Sequence, residues 1–109
     1  MTWQSLTSEL DFERLMDKSN IAPQVIFKHS TRCSISKVVK HRLDKSAIPD
    51  HAEFHFLDLI AYRSLSNKVA DELGVTHESP QVLLIKNGKC IYHESHYGIT
   101  MDDIEGEVL

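Results

Sequence analysis

Cysteine and glycine are scarce in this chain, and each scarcity excludes a class of protein. Two cysteines, Cys33 and Cys90, among 109 residues are too few for a disulfide-stapled secreted domain. The four glycines, at positions 74, 88, 98 and 106, are too far apart for a phosphate-binding glycine-rich loop. No apolar run approaches the ~18 residues of a membrane-spanning helix. Disulfide frameworks, phosphate loops and membrane spans are therefore not predicted.

The chain also lacks an excess of positive charge. Its 12 Lys and Arg face 16 Asp and Glu, and the formal net charge of -4 does not favour nucleic acid as a partner. The N-terminus, Met-Thr-Trp-Gln-Ser-Leu, has neither the basic segment nor the apolar run of a secretory signal. With 41% hydrophobic and 26% charged residues, the composition is that of a soluble domain. We therefore expect one cytoplasmic domain over residues 1–109, with no membrane partner.

Hydrophobic periodicity predicts four helices and four strands in the order α-β-α-β-α-β-β-α. The helices are expected over residues 8–18, from 33 to before 49, over 62–73 and from 100 onward. The strands are expected over residues 24–30, 53–58, 81–86 and 89–94. The residues that we expect on the apolar faces of the second and third helices are Ile35, Val38, Val39 and Leu43, and Tyr62, Leu65, Val69 and Leu73.

Short polar and glycine signals mark the ends of these elements. Ser8 and Thr100 are placed to cap helix starts, and Gly74 is placed to end the third helix. Asn87-Gly88 predicts a hairpin between the last two strands, whereas a helix separates the first two, which should therefore run parallel. We expect an α/β fold in which a four-stranded mixed sheet carries helices on both faces.

Cys33 lies where the first predicted strand gives way to the second predicted helix. Unpaired N–H groups and the positive end of the helix dipole favour an anion there, and the thiolate is the reactive form of cysteine. Arg32 and Lys37 add positive charge, and Ser34 and Ser36 are placed to donate hydrogen bonds to the sulfur. The pattern predicts an activated nucleophile, and the alternative is an inert core cysteine.

Cys90 follows the hairpin turn, and its predicted position is remote from Cys33. Pro80 opens the first hairpin strand at the end near Cys33, and six residues at about 3.3 Å each separate it from the turn by roughly 20 Å. A disulfide requires Cα atoms within about 7 Å. We therefore predict that Cys90 is a structural thiol and not a partner that resolves a disulfide on Cys33.

Three segments resemble a known family. The stretch from Lys28 to Ser36, Lys-His-Ser-Thr-Arg-Cys-Ser-Ile-Ser, together with Ser79-Pro-Gln81 and Ser95-His-Tyr-Gly-Ile-Thr100, resembles the YtxJ-like family of monothiol bacilliredoxins. The resemblance covers essentially the whole chain. One departure is Ser34, where many members carry proline, which alters the start of the helix but keeps the nucleophile.

The resemblance implies a thioredoxin-like fold with Pro80 in cis and Cys33 as the nucleophile. It implies a thiol–disulfide oxidoreductase that takes a low-molecular-weight thiol, bacillithiol, from mixed disulfides on client proteins. The small thiol is a co-substrate, and no other cofactor and no metal is expected. The predicted catalytic residue is Cys33, and the predicted substrate-binding residues are Thr31, Arg32, Ser34, Ser36, Ser79 and Pro80.

Two other functions stay open at this point. Cys33-Ser-Ile-Ser36 shares the C-x-x-S pattern of monothiol glutaredoxins, which hold an iron–sulfur cluster, although Ser34 and Ile35 replace the glycine and phenylalanine of their motif. A coloured protein would favour that function. Alternatively, the chain keeps the fold as a redox-inactive binding module, which ordinary reactivity of Cys33 would favour. The sequence also leaves open whether His29 points toward Cys33 or into the core.

Overall fold

Four α-helices and five strands make up the described part of the chain, residues 3–108 of the computed structural model. The helices are α1 (Glu9–Lys18), α2 (Ser34–Asp44), α3 (Arg63–Leu73) and α4 (Met101–Val108). The strands are β1 (Gln4–Ser5), β2 (Gln24–His29), β3 (Glu53–Asp58), β4 (Gln81–Lys86) and β5 (Lys89–Ser95), and a 3-10 turn covers His96–Gly98.

Hydroxyl groups cap the starts of two of these helices, and a glycine ends a third, as the sequence predicts. The Ser8 hydroxyl accepts the Asp11 N–H at 3.1 Å, and the Thr100 hydroxyl accepts the Asp103 N–H at 3.2 Å. Such bonds satisfy first-turn donors that have no partner within a helix. Gly74 ends α3 with φ at 67°, a left-handed conformation that glycine adopts without a steric penalty. The predicted helix ends are confirmed.

The sheet has five strands rather than the four that the periodicity predicts. Its order is β1-β3-β2-β4-β5, with β1, β3 and β2 parallel and with β4 and β5 antiparallel to their neighbours. The missed strand, β1, pairs only Gln4 and Ser5 with His55 and Phe56 of β3. Two residues are too few to produce a period-two pattern, which explains the error.

Helices cover both faces of the sheet, and the two sides have separate cores. The side covered by α2 and α4 contains Val25, Phe27, Phe54, Val82, Leu84, Val39 and Ile104. The side covered by α1 and α3 contains Ile26, Leu57, Leu83, Ile85, Phe12, Leu15 and Val69. Because successive side chains of a strand point to opposite faces, β2 contributes to both cores in turn. Every residue of β2 is buried, as its central place predicts.

The helical faces differ from the prediction at two residues. Val38 of α2 is 47% exposed, and Tyr62, just before α3, is 38% exposed. In α2 the buried residues are instead Ser36, Val39 and Leu43, so a serine occupies a position on the inner face. The buried face of α2 therefore runs through Ser36, Val39 and Leu43, and Val38 lies outside it. No helix within residues 3–108 is both long and apolar enough to cross a membrane.

Candidate active site

Cys33 is the N-cap residue of α2 and directly precedes Ser34, the first residue of the helix. It has an extended backbone, with φ -104° and ψ 119°, and its carbonyl accepts the first helical hydrogen bond from the Lys37 N–H at 3.1 Å. Among the described residues its thiol caps no N–H group, which leaves the first-turn amides of α2 open. These amides carry the positive end of the helix dipole and stabilise an anion beside them.

The charged residues next to Cys33 in the chain are cations. The first turn contains no acidic residue. Arg32 and Lys37, which flank Cys33 in the chain, are exposed, and Cys33 itself is half-buried. A partly exposed cysteine at a helix N-terminus among cations has the setting of a reactive thiol. Thr31 and Ser34 are exposed beside it, where a substrate has access to them.

The loop that carries Cys33 is held by Ser30 and Ser36. The Cys33 N–H donates to the Ser30 carbonyl at 3.2 Å, and the Arg32 N–H donates to the Ser30 hydroxyl at 3.3 Å. The Ser36 hydroxyl, from the first turn of α2, accepts the Ser30 N–H at 3.0 Å. These bonds fix both ends of the loop, so the position of Cys33 is set by the start of α2 and the end of β2.

Ser36 is buried and faces His29, not open solvent. Its side chain is 0% exposed, and its hydroxyl lies 2.6 Å from Nδ1 of His29. The His29 ring packs against Phe27 and Phe56, with centroid distances of 5.9 and 5.5 Å. Burial lowers the pKa of His29, which keeps the imidazole neutral at pH 7. The question of where His29 points is thus answered: it points into the core beside α2.

The second part of the site is the segment before β4. The Ser79–Pro80 peptide bond is cis, as the family resemblance implies. Gln81 pairs with Lys28 of β2, so Ser79 and Pro80 lie at the edge of the sheet from which the Cys33 loop leaves. Pro80 accepts the His96 N–H at 3.0 Å, whereas the buried Ser79 hydroxyl has no partner among the described residues.

A buried lysine that the sequence reasoning did not assign lies under this segment. Lys28 is 0% exposed, and its Nζ donates to the Ser66 carbonyl at 3.0 Å and approaches His77 Nδ1 at 3.4 Å. Burial lowers its pKa to about 8. A charged residue inside an apolar strand was the signal that could have drawn attention to it, because a lysine is almost never fully buried unless it is paired.

Two kinds of comparison identify the relationship of this chain to known proteins. The model of the family described as monothiol bacilliredoxin BrxC matches residues 4–104. The chain belongs to the monothiol bacilliredoxin family. The resemblance seen in the sequence is thereby confirmed.

Solved structures show that the chain has a thioredoxin-like fold. A candidate oxidoreductase with a thioredoxin fold superposes with a TM-score of 0.82 at 25% identity, covering 94% of this chain and 90% of that one. Thioredoxin from Fasciola hepatica gives 0.74 at 20% identity, with 96% and 95% covered. Mitochondrial thioredoxin 3 from Saccharomyces cerevisiae gives 0.71 at 23%, with 97% and 92% covered. The chain thus has a thioredoxin-like fold, and its family is one of thiol oxidoreductases.

Cys90 has surroundings quite different from those of Cys33. It pairs with Ile85 near the hairpin turn, at the end of β4 away from Pro80, and both cysteines are free thiols. Its thiol donates to the Tyr92 carbonyl at 3.3 Å, and burial raises its pKa. These features agree with the prediction of a structural thiol. Within residues 3–108, no three His, Cys, Asp or Glu side chains cluster as metal ligands.

Proposed function

We propose that this protein removes bacillithiol from mixed disulfides on client proteins by thiol–disulfide exchange at Cys33. The observation that carries the proposal is the placement of Cys33 at the start of α2, without a second cysteine beside it. A single thiol is able to accept a small capping thiol but not to form an internal disulfide. The reducing cytoplasm is the proposed location, because both cysteines then stay available as thiols.

The first step transfers the small thiol to the protein. The Cys33 thiolate attacks the bacillithiol sulfur of the mixed disulfide. A new bond forms between the Cys33 sulfur and the bacillithiol sulfur, and the bond to the client sulfur breaks. The client sulfur leaves as a thiolate and takes up a proton from solvent. The client is reduced, and the oxidised product is the mixed disulfide on Cys33.

The second step releases the small thiol. The thiolate of another bacillithiol molecule attacks the bacillithiol sulfur that Cys33 carries, so bacillithiol disulfide leaves and the Cys33 thiolate is restored. The two small thiols together supply the two electrons that reduce the client. No metal or bound cofactor takes part in this scheme, and the small thiol acts as a co-substrate.

The predicted binding residues have distinct roles in this proposal. Thr31, Arg32 and Ser34 surround Cys33, and we assign Arg32 to a carboxylate of the small thiol, since a guanidinium pairs well with that group. Ser79 and Pro80 receive the client segment at the same edge of the sheet as the Cys33 loop. Ser36 is also assigned to the site; because its hydroxyl is already held by Ser30 and His29, its effect is on the loop that presents Cys33.

The direct test is transfer of the cap between proteins. A peptide with one bacillithiol-capped cysteine is mixed with the reduced protein, and intact-mass spectrometry follows both species over time. We expect the peptide to lose the cap while Cys33 gains it. The same peptide capped with glutathione and the variant Arg32→Gln serve as matched controls, which are both expected to react more slowly.

Two results would overturn the proposal. One is a peptide that keeps its bacillithiol cap in the presence of the reduced protein, although small thiols without the protein release the cap. The other is a cap that moves to Cys90 or bypasses the protein thiols altogether. Equal rates for Arg32→Gln and the original chain would contradict the binding role of Arg32 but not the role of Cys33 as the nucleophile.

A further inference from the structure

Two adjacent residues of β2 are buried polar groups with no part in the chemistry described so far. Lys28 is 0% exposed and His29 is 4% exposed, one residue from the loop that carries Cys33. An amine without a carboxylate partner is costly to bury, and replacement by an apolar side chain of similar size often stabilises a protein. Folding alone therefore does not account for a lysine at this position.

Lys28 ties α3 to the segment that precedes Pro80. Its Nζ donates to the Ser66 carbonyl of α3 at 3.0 Å and lies 3.4 Å from Nδ1 of His77. Burial and the nearby ammonium group lower the pKa of His77, so its neutral ring has a lone pair that can accept a hydrogen bond from the Lys28 ammonium. The segment thus has a direct contact to β2 two residues before Ser79.

A second contact holds the same segment. Gln81 is the cross-strand partner of Lys28, and its side-chain amide donates to the Thr76 carbonyl at 3.0 Å. The Gln81 side-chain oxygen is buried without a partner among the described residues. The residues from Thr76 to Pro80 are therefore attached to the sheet through polar side chains, and Lys28 is the one with a formal charge.

His29 makes the corresponding connection on the other face. Its Nδ1 lies 2.6 Å from the Ser36 hydroxyl, which accepts the Ser30 N–H, and the Ser30 carbonyl accepts the Cys33 N–H. The ring is held between Phe27 and Phe56, so its orientation is fixed. Each link from His29 to Cys33 is a hydrogen bond at 3.2 Å or shorter.

We propose that Lys28 and His29 are positioning residues for the exchange reaction, Lys28 for the segment from His77 to Pro80 that receives the client and His29 for the loop that presents Cys33. Consecutive strand residues point to opposite faces, so one dipeptide reaches both halves of the site. The inference rests on the proposed function for the role of each half. It adds that the two halves are set independently, one by each residue.

The Lys28 half is tested with Lys28→Met, which keeps an unbranched side chain as far as the ε carbon and removes the amine. We expect an unchanged or higher Tm, because a buried charge is lost. We expect faster amide hydrogen exchange over residues 76–79 and a drop of about tenfold in kcat/KM for the capped peptide, since small misplacements are costly in exchange geometry. The rate at which iodoacetamide alkylates Cys33 should stay the same.

A double variant distinguishes positioning from general weakening. If Lys28 acts through His77, Lys28→Met combined with His77→Phe should exchange no more slowly than the slower single variant, because residues in one network are not additive. Additive losses would contradict the proposal. So would a fall in Tm that accounts for the lost rate, because that is the signature of a merely structural lysine.

The His29 half is tested with His29→Leu and His29→Asn. Asparagine places a polar atom near the position of Nδ1 and retains the bond to Ser36, whereas leucine does not. We expect His29→Leu to change the rate of Cys33 alkylation by iodoacetamide about threefold or more at pH 7 and to shift its pH profile, and we expect His29→Asn to restore most of both. Equal behaviour of the two variants would overturn this half.

The readouts separate failure of this inference from failure of the proposed function. If the original chain does not accept the cap from the peptide, the proposed function fails, while hydrogen exchange and alkylation still test the two positioning roles. If the original chain exchanges normally but Lys28→Met leaves residues 76–79 and kcat/KM unchanged, only the role of Lys28 fails. A change of alkylation in Lys28→Met would contradict the independence of the two halves.

Discussion

The two cysteines lie at opposite ends of the sheet and have opposite surroundings. Cys33 immediately precedes α2, next to the unpaired amides of its first turn, which contains no acidic residue. Cys90 lies in the edge strand β5 beside the hairpin turn, where its thiol donates to a carbonyl and burial raises its pKa. The same side chain is thus placed for reaction at one end and for packing at the other. Since both residues are cysteines, the difference in expected reactivity comes from the surroundings of each thiol.

The largest expected effect is loss of the nucleophile. Cys33→Ser should lower the rate of cap transfer by at least about 10³-fold, because a hydroxyl at this position does not ionise near neutral pH and cannot form the mixed disulfide. The measurement is loss of bacillithiol from a capped peptide. A variant that retains more than a tenth of the rate would erase the distinction between the two cysteines.

The buried histidines also differ in location: His29 lies beside the site, and His55 lies away from it. His55 lies on the α1 side of the sheet, where its Nε2 is 2.7 Å from the Gln24 side-chain oxygen, and burial lowers its pKa to about 4. In the unfolded chain the ordinary value is about 6.5. Between these two pH values the unfolded state binds more protons than the folded state, so acidification from pH 6.5 to 4 reduces stability.

His55→Gln tests this acid sensitivity while preserving a polar partner for Gln24. Compared with the original chain, the variant should lose less free energy of unfolding between pH 7 and 4, by up to about 3 kcal/mol. Urea unfolding at several pH values measures the difference. Alkylation of Cys33 should be the same in both proteins, and a changed alkylation rate would mean that the two regions are coupled.

A carboxylate introduced into the first turn of α2 tests whether the charge near Cys33 affects its reactivity. Ser34→Asp should slow alkylation of Cys33 at pH 7 by about three- to tenfold, because a neighbouring negative charge disfavours the thiolate. The neutral variant Ser34→Asn is the matched control and should react like the original chain. Since an acidic residue in the first turn stabilises a helix, a slower rate in Ser34→Asp does not reflect unfolding.

The smallest expected effect is at the other thiol. Cys90→Ala should leave cap transfer within about twofold of the original rate, since the residue lies away from the site and makes one weak hydrogen bond. The same peptide assay measures it, with the Tm as a check on folding. A large loss of rate at an unchanged Tm would show that Cys90 takes part in exchange.

Much of the fold was predictable from local patterns, and the failures have physical causes. Caps such as Ser8 and Gly74 act within one turn of the chain, so the sequence alone locates them. The two-residue strand β1 depends on pairing with β3, about 50 residues later, and has no local pattern. Val38 continues an apolar stripe in the sequence but is exposed, because the buried face of α2 runs through Ser36, Val39 and Leu43 and Val38 lies outside it.

The part of the candidate site that depends on the order of the elements was predictable, and the part that depends on contacts between distant segments was not. Cys33 and Pro80 stand at the junctions of predicted elements, so their neighbourhood follows from the order of strands and helices. Lys28 and His29 read as ordinary members of a strand, and their partners come from α3, α2 and the segment before Pro80. Side-chain contacts between distant segments require the folded structure.

The most direct test of the central claim compares the two thiols within one sample. Reduced protein is alkylated with iodoacetamide across a range of pH, and peptide mass spectrometry gives a rate for Cys33 and for Cys90. The account predicts that Cys33 reaches its half-maximal rate at a lower pH than both Cys90 and a small free thiol in the same assay. Half-maximal reaction of Cys33 at or above the pH found for Cys90 would contradict it.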